Sequence, residues 1–265
     1  MRALIFDLDD TLLDSEKRIG DVTRQALFAA HDAGFRIILA TSRPIRTIRH
    51  FLDDNILSVC VSVSLNGAVV HEEPRTDASQ MFGNLGANTA PLVERLEALE
   101  QELYFSVEFE GTHFATNRNH SDEELRDYHS ATRDMVVALD RSDPHTASKI
   151  AVDGLGSRVD DCLAMSTDHP DLRFIPAMDH TFVNIVPGAV DKSTTLKRLA
   201  PQIGIDLAQS YAFGDDLPDI EMFGVVGMAV AMSNAKEQVK QAADVIIGHC
   251  DADAIGQYLT EHVLR

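Results

Sequence analysis

Residues Leu4–Leu12 read LIFDLDDTL, and they decide how the rest of the chain is interpreted. The apolar run Ala3–Phe6 is short enough for a buried strand and too short to cross a membrane. It ends in three carboxylates, those of Asp7, Asp9 and Asp10. Like charges about 4 Å apart repel by roughly 4 kcal/mol at an effective dielectric constant of about 20, so such a cluster needs a cation. Oxygen ligands favour a hard cation, magnesium before calcium, although the alternative that Asp9 or Asp10 only caps a turn or a helix stays open on this stretch alone.

Strands and helices alternate after this stretch, which is typical of a parallel, doubly wound sheet. Apolar spacing predicts, in order, helix Ser15–Gly34, strand Arg36–Ala40, helix Ile45–Leu52 and strand Val59–Val63. In such sheets ligands bind at the carboxyl ends of the strands. Polar residues stand at each of these ends, namely Asp7 and Asp9, Thr41 and Ser42, and Ser64 and Asn66. The sequence therefore predicts a ligand site along one edge of an α/β sheet.

A second domain is predicted to be inserted into the first. The chain becomes polar at about Glu72, and Glu72–Ala87 is typical of a linker. The residues that follow mix helices with adjacent strands, as in an α+β domain. The predicted elements here are Thr89–Gln101, Glu123–Leu139 and Ser157–Met165 as helices, and Leu103–Phe109, Thr112–Thr116, Ser148–Val152, Leu172–Ile175 and Thr181–Val186 as strands. We expect residues 1–76 and 187–265 to form the core and residues 77–186 to form the insertion.

A second acid cluster follows another short predicted strand in the last third of the chain. Asp215 is best placed to complete a magnesium site with Asp7, because Gly214 before it allows a close backbone approach. We expect Asp219, one helical turn further on, either to bind the ion through water or to orient a ligand. The alternative is that Asp216 or Asp219 only caps the helix at Ile220, and for Asp216 we favour it. The predicted elements of this part are helices Lys192–Leu199, Ile220–Phe223, Asn234–Ala243 and Asp253–Leu264 and strands Ser210–Phe213, Met228–Ala231 and Asp244–Ile247.

Three residues suit the binding of a phosphate at this edge. A site of three carboxylates that receives a phosphate dianion needs more positive charge than one metal ion supplies. Lys192 opens a predicted helix at a junction of the same sheet and is a natural source of that charge. Thr41 and the backbone N–H of Ser42 can hold phosphate oxygens at a helix N-terminus. A solvated lysine and an ordinary helix cap remain the alternatives.

Composition and charge narrow the range of partners. Of the 265 residues, 45% are hydrophobic and 25% charged, which is ordinary for a globular protein. The net charge of −19 disfavours nucleic acids and anionic membrane surfaces. Cys60, Cys162 and Cys250 are far apart and form no Cys-x-x-Cys motif, which indicates neither a disulfide framework nor a zinc site. No signal peptide or membrane span is visible, so we expect a cytoplasmic protein.

Four motifs resemble, in the same order, those of the haloacid dehalogenase-like (HAD) superfamily. They are Asp7-Leu8-Asp9-Asp10-Thr11, then Thr41, then Lys192, then Gly214-Asp215-x-x-x-Asp219. The segments that look like its Cof-type branch are Ala40-Thr41-Ser42-Arg43, Ser64-x-Asn66-Gly67-Ala68 and Val230-Ala231-Met232-Ser233-Asn234-Ala235. The insertion lies where this branch carries a large α/β cap, between the second and third motifs. The resemblance implies a Rossmann-like, doubly wound parallel core with an inserted cap that selects the substrate.

The resemblance also implies the activity, that of a phosphoric monoester hydrolase working through an aspartyl-phosphate. Asp7 would attack phosphorus. Asp9 would serve as general acid and then as general base, and would lend its backbone carbonyl to Mg²⁺. Thr41 would hydrogen-bond the transferring group, and Lys192 would steady Asp7 and the phosphate. The implied metal-binding residues are Asp7, Asp9, Asp215 and Asp219.

The expected substrate is a small phosphate ester, such as a sugar phosphate. Candidate substrate-binding residues at the rim of the core are Ser42, Arg43 and Asn66, with a surface ion pair as the alternative for Arg43. Three positions depart from the branch: Pro218 replaces a common Asn, and Ser42 and Asp10 each replace a common Gly. None removes a residue that the chemistry needs.

Other functions fit the same motifs less well. A sugar phosphomutase is the first alternative, because related caps serve such enzymes. A sensor that binds phosphorylated ligands without turnover is the second, and the full set of acids and the lysine argue against it. A dehalogenase is less expected, since Asp9 supplies an acid–base group that carbon–halogen cleavage does not need.

Overall fold

The computed structural model describes residues 1–99, 103–139, 147–177 and 181–265. The first part of the chain forms β1 (Ala3–Phe6), α1 (Asp21–Asp32), β2 (Arg36–Ala40), α2 (Ile45–Phe51), α3 (Asp54–Leu57), β3 (Cys60–Ser64), β4 (Val69–His71) and β5 (Gln80–Met81). The middle part forms α4 (Thr89–Leu99), β6 (Tyr104–Phe109), β7 (His113–Thr116), α5 (Asp122–His129), β8 (Ala147–Asp153), α6 (Val159–Ala164), β9 (Leu172–Ala177) and β10 (Phe182–Pro187). The last part forms α7 (Lys192–Ile203), β11 (Tyr211–Gly214), α8 (Asp219–Phe223), β12 (Met228–Ala231), α9 (Glu237–Ala242), β13 (Val245–Ile246) and α10 (Ala254–Tyr258). Within the described ranges, no helix has the length and apolar character that crossing a membrane requires.

The first sheet has eight strands in the order β13-β12-β11-β1-β2-β3-β4-β5. In this spatial order, every neighbouring pair from β13 through β3 is parallel. At the other edge, β4 pairs antiparallel with β3, and β5 pairs antiparallel with β4. Since β1 lies between β2 and β11, all its side chains are buried, and Phe6 stacks on Phe213 with ring centroids 4.7 Å apart. The predicted doubly wound α/β core is confirmed. The carboxyl ends of β1, β2, β3 and β11 share one edge, so the residues that follow them meet there.

The second sheet has five antiparallel strands in the order β7-β6-β8-β10-β9. Successive side chains of a strand point to opposite faces. On one face Val107, Ile150 and Ile185 pack with α4 and α6 in a hydrophobic core of their own. The other face carries the buried polar residues Glu108 and Lys149. We call this sheet with α4, α5 and α6 the cap; the predicted limits of the insertion, residues 77 and 186, stay a prediction.

The helix predicted over Glu123–Leu139 is wrong in its second half. The hydroxyl of Ser121 caps α5, which ends at His129. Ser130 has a φ of 50°, in the left-handed region, and this conformation stops the helix. The apolar side chains after it do not continue a helical face but pack as a short turn against Phe114.

Three smaller differences have local causes. The helix predicted from Ser15 begins only at Asp21, because Asp14 Oδ1 accepts bonds from the N–H groups that follow it and holds a turn. The predicted linker Glu72–Ala87 contains the short strand β5, which pairs with β4. The helix predicted over Thr89–Gln101 is α4, and residues 100–101 of that prediction lie outside the described residues.

Candidate active site

The predicted site residues meet in one pocket at the carboxyl edge of the first sheet. The pocket has a volume of about 130 Å³ and is open to solvent on one side. It is lined by Asp7, Asp9, Asp10, Ser42, Asn66, Lys192, Asp215, Asp216, Pro218 and Asp219. The segments after β1, β2, β3 and β11 supply all of these except Lys192, which begins α7. Parallel strands therefore collect residues that are far apart in the sequence.

Lys192 joins the two acid clusters. Its Nζ lies 2.5 Å from Oδ1 of Asp7 and 2.6 Å from Oδ1 of Asp219. Burial alone would lower the pKa of Lys192, but the carboxylates of Asp219 and Asp7 outweigh it and raise that pKa. Asp191 caps α7 by accepting a bond from the N–H of Thr194 at 2.7 Å, which fixes the start of the helix. The result is a permanent positive charge held against Asp7.

Asp219 uses both of its carboxylate oxygens within the protein. One receives the ammonium of Lys192, and the other accepts the backbone N–H groups of Asp215 and Asp216 at 2.9 and 3.0 Å. The loop comes this close because residue 214 is glycine: a Cβ there would lie 2.5 Å from the Cβ of Asp219. This geometry favours an orienting role for Asp219, and its binding of a metal through water stays a prediction.

The chemistry of the acid cluster fits a divalent cation. One carboxylate oxygen each of Asp7, Asp215 and Asp219 lies within 4.8 Å of the others. Burial raises the pKa of Asp215 to about 7, in spite of the hydrogen bond that it accepts from Thr11 at 2.6 Å. Burial also raises the pKa of Asp7, against the charge of Lys192. A bound divalent cation would keep both groups as carboxylates, and hard oxygen donors suit magnesium.

The carboxylate of Asp9 is held by two basic side chains. Nε and Nη2 of Arg43 bind its two oxygens at 2.9 and 3.1 Å, and Nζ of Lys17 lies 3.0 Å from Oδ1. Burial alone would raise the pKa of Asp9, but Arg43 and then Lys17 hold it below its ordinary value. Arg43 thus forms an ion pair inside the site. Sequence reasoning missed Lys17, because it stands in a turn outside every motif.

The turn after β2 carries Thr41, Ser42 and Arg43. Thr41 is buried; its Oγ1 accepts a bond from the N–H of Arg43 at 3.1 Å, and its carbonyl accepts one from the N–H of Asn66 at 3.1 Å. Asn66 has a φ of 59°, and its buried Oδ1 has no partner among the described residues. A buried acceptor of this kind, placed in a pocket, suits a hydroxyl group of a ligand.

Known proteins match this chain almost from end to end. The family described as haloacid dehalogenase-like hydrolase matches residues 4–259. The chain belongs to this family. An HMP-PP phosphatase of Enterobacter sp. is 29% identical over 98% of this chain and 94% of its own length. A 5-amino-6-(5-phospho-D-ribitylamino)uracil phosphatase of Bacillus subtilis is 25% identical over 98% of both chains.

A solved structure extends the match to the fold. A HAD subclass IIB sugar phosphatase shares 21% identity with this HAD-like hydrolase, covers 100% of both chains and has a TM-score of 0.78. The resemblance to the haloacid dehalogenase-like family predicted from the four motifs is confirmed, and the Cof-type branch stays a prediction. The motif residues Asp7, Lys192, Asp215 and Asp219 lie together as the family pattern implies. Their individual roles stay predictions.

The cap of this HAD-like hydrolase touches the segment after β2. Nζ of Lys149, on β8, donates to the carbonyl of Ser42 at 3.0 Å. Glu108 lies opposite Lys149 in the register of β6 and β8, and it accepts bonds from Arg46 of α2 at 2.5 and 2.8 Å. Sequence reasoning missed Lys149, Glu108 and Arg46, because their partners are far away in the sequence and belong to no motif.

Proposed function

We propose that this chain is a magnesium-dependent phosphatase that hydrolyses a small phosphorylated metabolite through an aspartyl-phosphate on Asp7. The observation that carries the proposal is the contact of Lys192 with both Asp7 and Asp219, next to Asp215, at the end of a central strand. A carboxylate held there by a fixed cation can attack phosphorus while the charge of the phosphate is balanced. The phosphatases among the relatives support the class of reaction, that of a phosphoric monoester hydrolase.

The reaction has two displacements at phosphorus. In the first, an oxygen of Asp7 bonds to phosphorus, the bond to the ester oxygen breaks, and Asp9 gives its proton to that oxygen. In the second, Asp9 takes a proton from water, the water oxygen bonds to phosphorus, and Asp7 leaves as a carboxylate. Lys192 balances negative charge in both displacements. The hydroxyl of Thr41 donates a hydrogen bond to a phosphate oxygen.

The metal-binding residues proposed are Asp7, Asp215 and the backbone carbonyl of Asp9, supported by Asp219. When bound, Mg²⁺ neutralises charge on the phosphate as a Lewis acid. Asp219 serves this set by fixing the loop that carries Asp215.

Asp9 donates a proton only after its ion pairs loosen, because two cations favour its charged form. Arg43 is the partner that can move, since its side chain is 41% exposed. A polar or anionic group of the substrate is a competing partner for its guanidinium. We therefore place Arg43 with Ser42 and Asn66 among the substrate-binding residues.

The substrate class follows from the pocket and from the relatives. The pocket, at about 130 Å³, has room for the phosphate end of a small metabolite. The relatives are named for HMP-PP and for a phosphoribitylamino-uracil, and a sugar phosphate remains our first expectation. Nucleic acids and anionic membrane surfaces are not proposed as partners, because the net charge is −19. A cytoplasmic location stays a prediction.

The test is phosphate release across sugar phosphates, nucleotides, pyridoxal phosphate and flavin mononucleotide, with magnesium present. We expect the native protein to release phosphate from at least one of them and the Asp7→Asn variant from none. Tight binding without release would contradict the proposal and indicate a sensor. Phosphate that returns to the sugar instead of appearing in solution would indicate a phosphomutase.

A further inference from the structure

We propose that Lys149 of the cap is a positioning residue for the hydroxyl of Thr41. Its ammonium fixes the peptide between Ser42 and Arg43, and that peptide fixes the hydroxyl that would bind the phosphate. The inference rests on the proposed phosphatase function. It gives the cap a part in the chemistry of the core.

The path from the cap to Thr41 consists of two hydrogen bonds and one peptide unit. Nζ of Lys149 donates to the carbonyl oxygen of Ser42 at 3.0 Å. The N–H of Arg43 belongs to the same peptide and donates to Oγ1 of Thr41 at 3.1 Å. Because a peptide unit is planar and rigid, holding its carbonyl also sets the direction of its N–H.

The second hydrogen bond decides how Thr41 can act. A hydroxyl has one proton and two acceptor lone pairs. In Thr41 one lone pair is engaged by the N–H of Arg43, and the described part of the chain offers no acceptor for the hydroxyl proton. That proton remains for a phosphate oxygen. A free rotation of the Ser42–Arg43 peptide would release the lone pair and let the hydroxyl turn.

Stability does not account for the charge on Lys149. The side chain is buried, and within the described residues it forms no ion pair. Its neighbour across the strands, Glu108, is already occupied by Arg46 at 2.5 and 2.8 Å and by the hydroxyl of Ser106 at 3.3 Å. A buried ammonium bonded to one carbonyl is a poor stabiliser, and an apolar side chain of similar size is often neutral or stabilising at such a position. The charge of Lys149 is better explained by its hold on the carbonyl of Ser42.

The titration of Lys149 adds a readout. Burial lowers its pKa to about 8; Glu108 on β6 opposes the fall, and Arg43 in the turn after β2 and Arg46 on α2 add to it. The ammonium that holds Ser42 is therefore present below about pH 8 and is lost as the pH rises through that value. Positioning of Thr41 should weaken over the same interval.

The first experiment measures kcat and KM on a generic aryl phosphate for Lys149→Met, with Lys197→Met as the matched control. Lys197 is an exposed residue of α7. We expect kcat of Lys149→Met to fall by about 10- to 100-fold with a smaller change in KM, since misplacement of a group at the reacting centre acts on the rate. Its midpoint of thermal unfolding should not fall, and Lys197→Met should match the native protein. A kcat of Lys149→Met within about twofold of native would overturn the inference.

The second experiment asks whether the effect passes through Thr41. In a Thr41→Val background the acceptor of the Arg43 N–H is gone, so adding Lys149→Met should cause no further loss of kcat. Losses that multiply in the double variant would show that Lys149 acts elsewhere, and the inference would be wrong.

If Lys149→Met does not fold, the pH dependence of kcat tests the positioning role of Lys149 instead. We expect native kcat to decline above about pH 8, and the decline to move to higher pH in Lys149→Arg. An identical decline in both proteins would contradict the inference. Absence of phosphate release by the native protein is a separate result, because it would overturn the proposed function itself.

Discussion

The acidic edge of the core sheet and the polar face of the cap sheet meet at the segment after β2, but their charges are arranged differently. In the core, the acids Asp7, Asp215 and Asp219 share one lysine, and burial raises the pKa of two of them. In the cap, Glu108 has a guanidinium of its own and Lys149 has a carbonyl. The core cluster needs a further cation, whereas Glu108 and Lys149 of the cap each have a partner within the protein. Changes in the core should therefore remove chemistry, and changes in the cap should alter positioning and stability.

The Asp7→Asn variant should show the largest effect of a core change. An amide is not a nucleophile towards phosphorus, so we expect kcat to fall by roughly 10³-fold or more. The variant should keep its fold, because Asn still accepts a hydrogen bond from Lys192. Phosphate release and circular dichroism measure the two properties. Full activity with an intact fold would rule out Asp7 as the nucleophile.

Removal of divalent metal should stop turnover, and magnesium should restore it. The pKa of Asp215 is raised to about 7 by burial, so metal binding displaces a proton there and magnesium affinity should increase as the pH rises through that value. Calorimetry in buffers of different ionisation enthalpy measures the released proton. Turnover that survives exhaustive chelation would show that the acid cluster of the core needs no divalent cation, and the contrast with the cap would be wrong.

The Lys192→Met variant tests the charge shared by the two acid clusters. Without the ammonium, Asp7 and Asp219 face each other unscreened, and a fixed charge next to the phosphate is lost. We expect kcat to fall by roughly 10²- to 10³-fold. Lys197→Met, on the exposed side of the same helix, is the control. Equal activity of the two variants would refute the role given to Lys192.

The Glu108→Gln variant should show the smallest effect on kcat and a clear effect on stability. It leaves Arg46 buried without its counter-charge, which costs about 3–5 kcal/mol in the free energy of unfolding. An Arg46→Met/Glu108→Leu double variant should regain most of that stability. Chemical denaturation measures both. A Glu108→Gln variant that is as stable as the native protein but has a strongly reduced kcat would show that Glu108 takes part in the chemistry.

The stability that the ion pair of Arg46 and Glu108 contributes should depend on pH. Burial alone would raise the pKa of Glu108, but Arg46 holds it below its ordinary value. The folded state therefore binds this proton less readily than the unfolded state does. The stability that the pair contributes is complete above the ordinary glutamate pKa and is lost as the pH falls through the lowered one. In Glu108→Gln, the free energy of unfolding should fall less as the pH is lowered, because no carboxylate is protonated at this position.

The sequence predicts the core site far better than the cap contacts, for a physical reason. Asp7, Thr41 and Asp215 directly follow buried strands, and parallel strands bring their carboxyl ends to one edge whatever the loops do. Lys149 does not follow a buried strand and belongs to no motif, so in the sequence it resembles any solvated lysine. Its partner is the carbonyl of Ser42, 107 residues away, and only the seating of the cap brings them together.

The fold shows the same limit. The strands Arg36–Ala40 and Met228–Ala231 lie where apolar spacing predicts them, because burial between neighbouring strands leaves no alternative. Ser130 ends α5 in a left-handed conformation that spacing does not reveal. Local patterns thus predict elements that are buried on both sides, and tertiary packing decides the ends of those that are not.

The stereochemical course at phosphorus shows directly whether an aspartyl-phosphate forms on Asp7. The substrate is a thiophosphate ester made chiral at phosphorus by sulfur and two oxygen isotopes, hydrolysed by the native protein in water that carries the third oxygen isotope. Two displacements, the first by Asp7 and the second by water, each invert the configuration at phosphorus, so we predict net retention. Net inversion would mean that water attacks the substrate directly and would contradict an aspartyl-phosphate on Asp7.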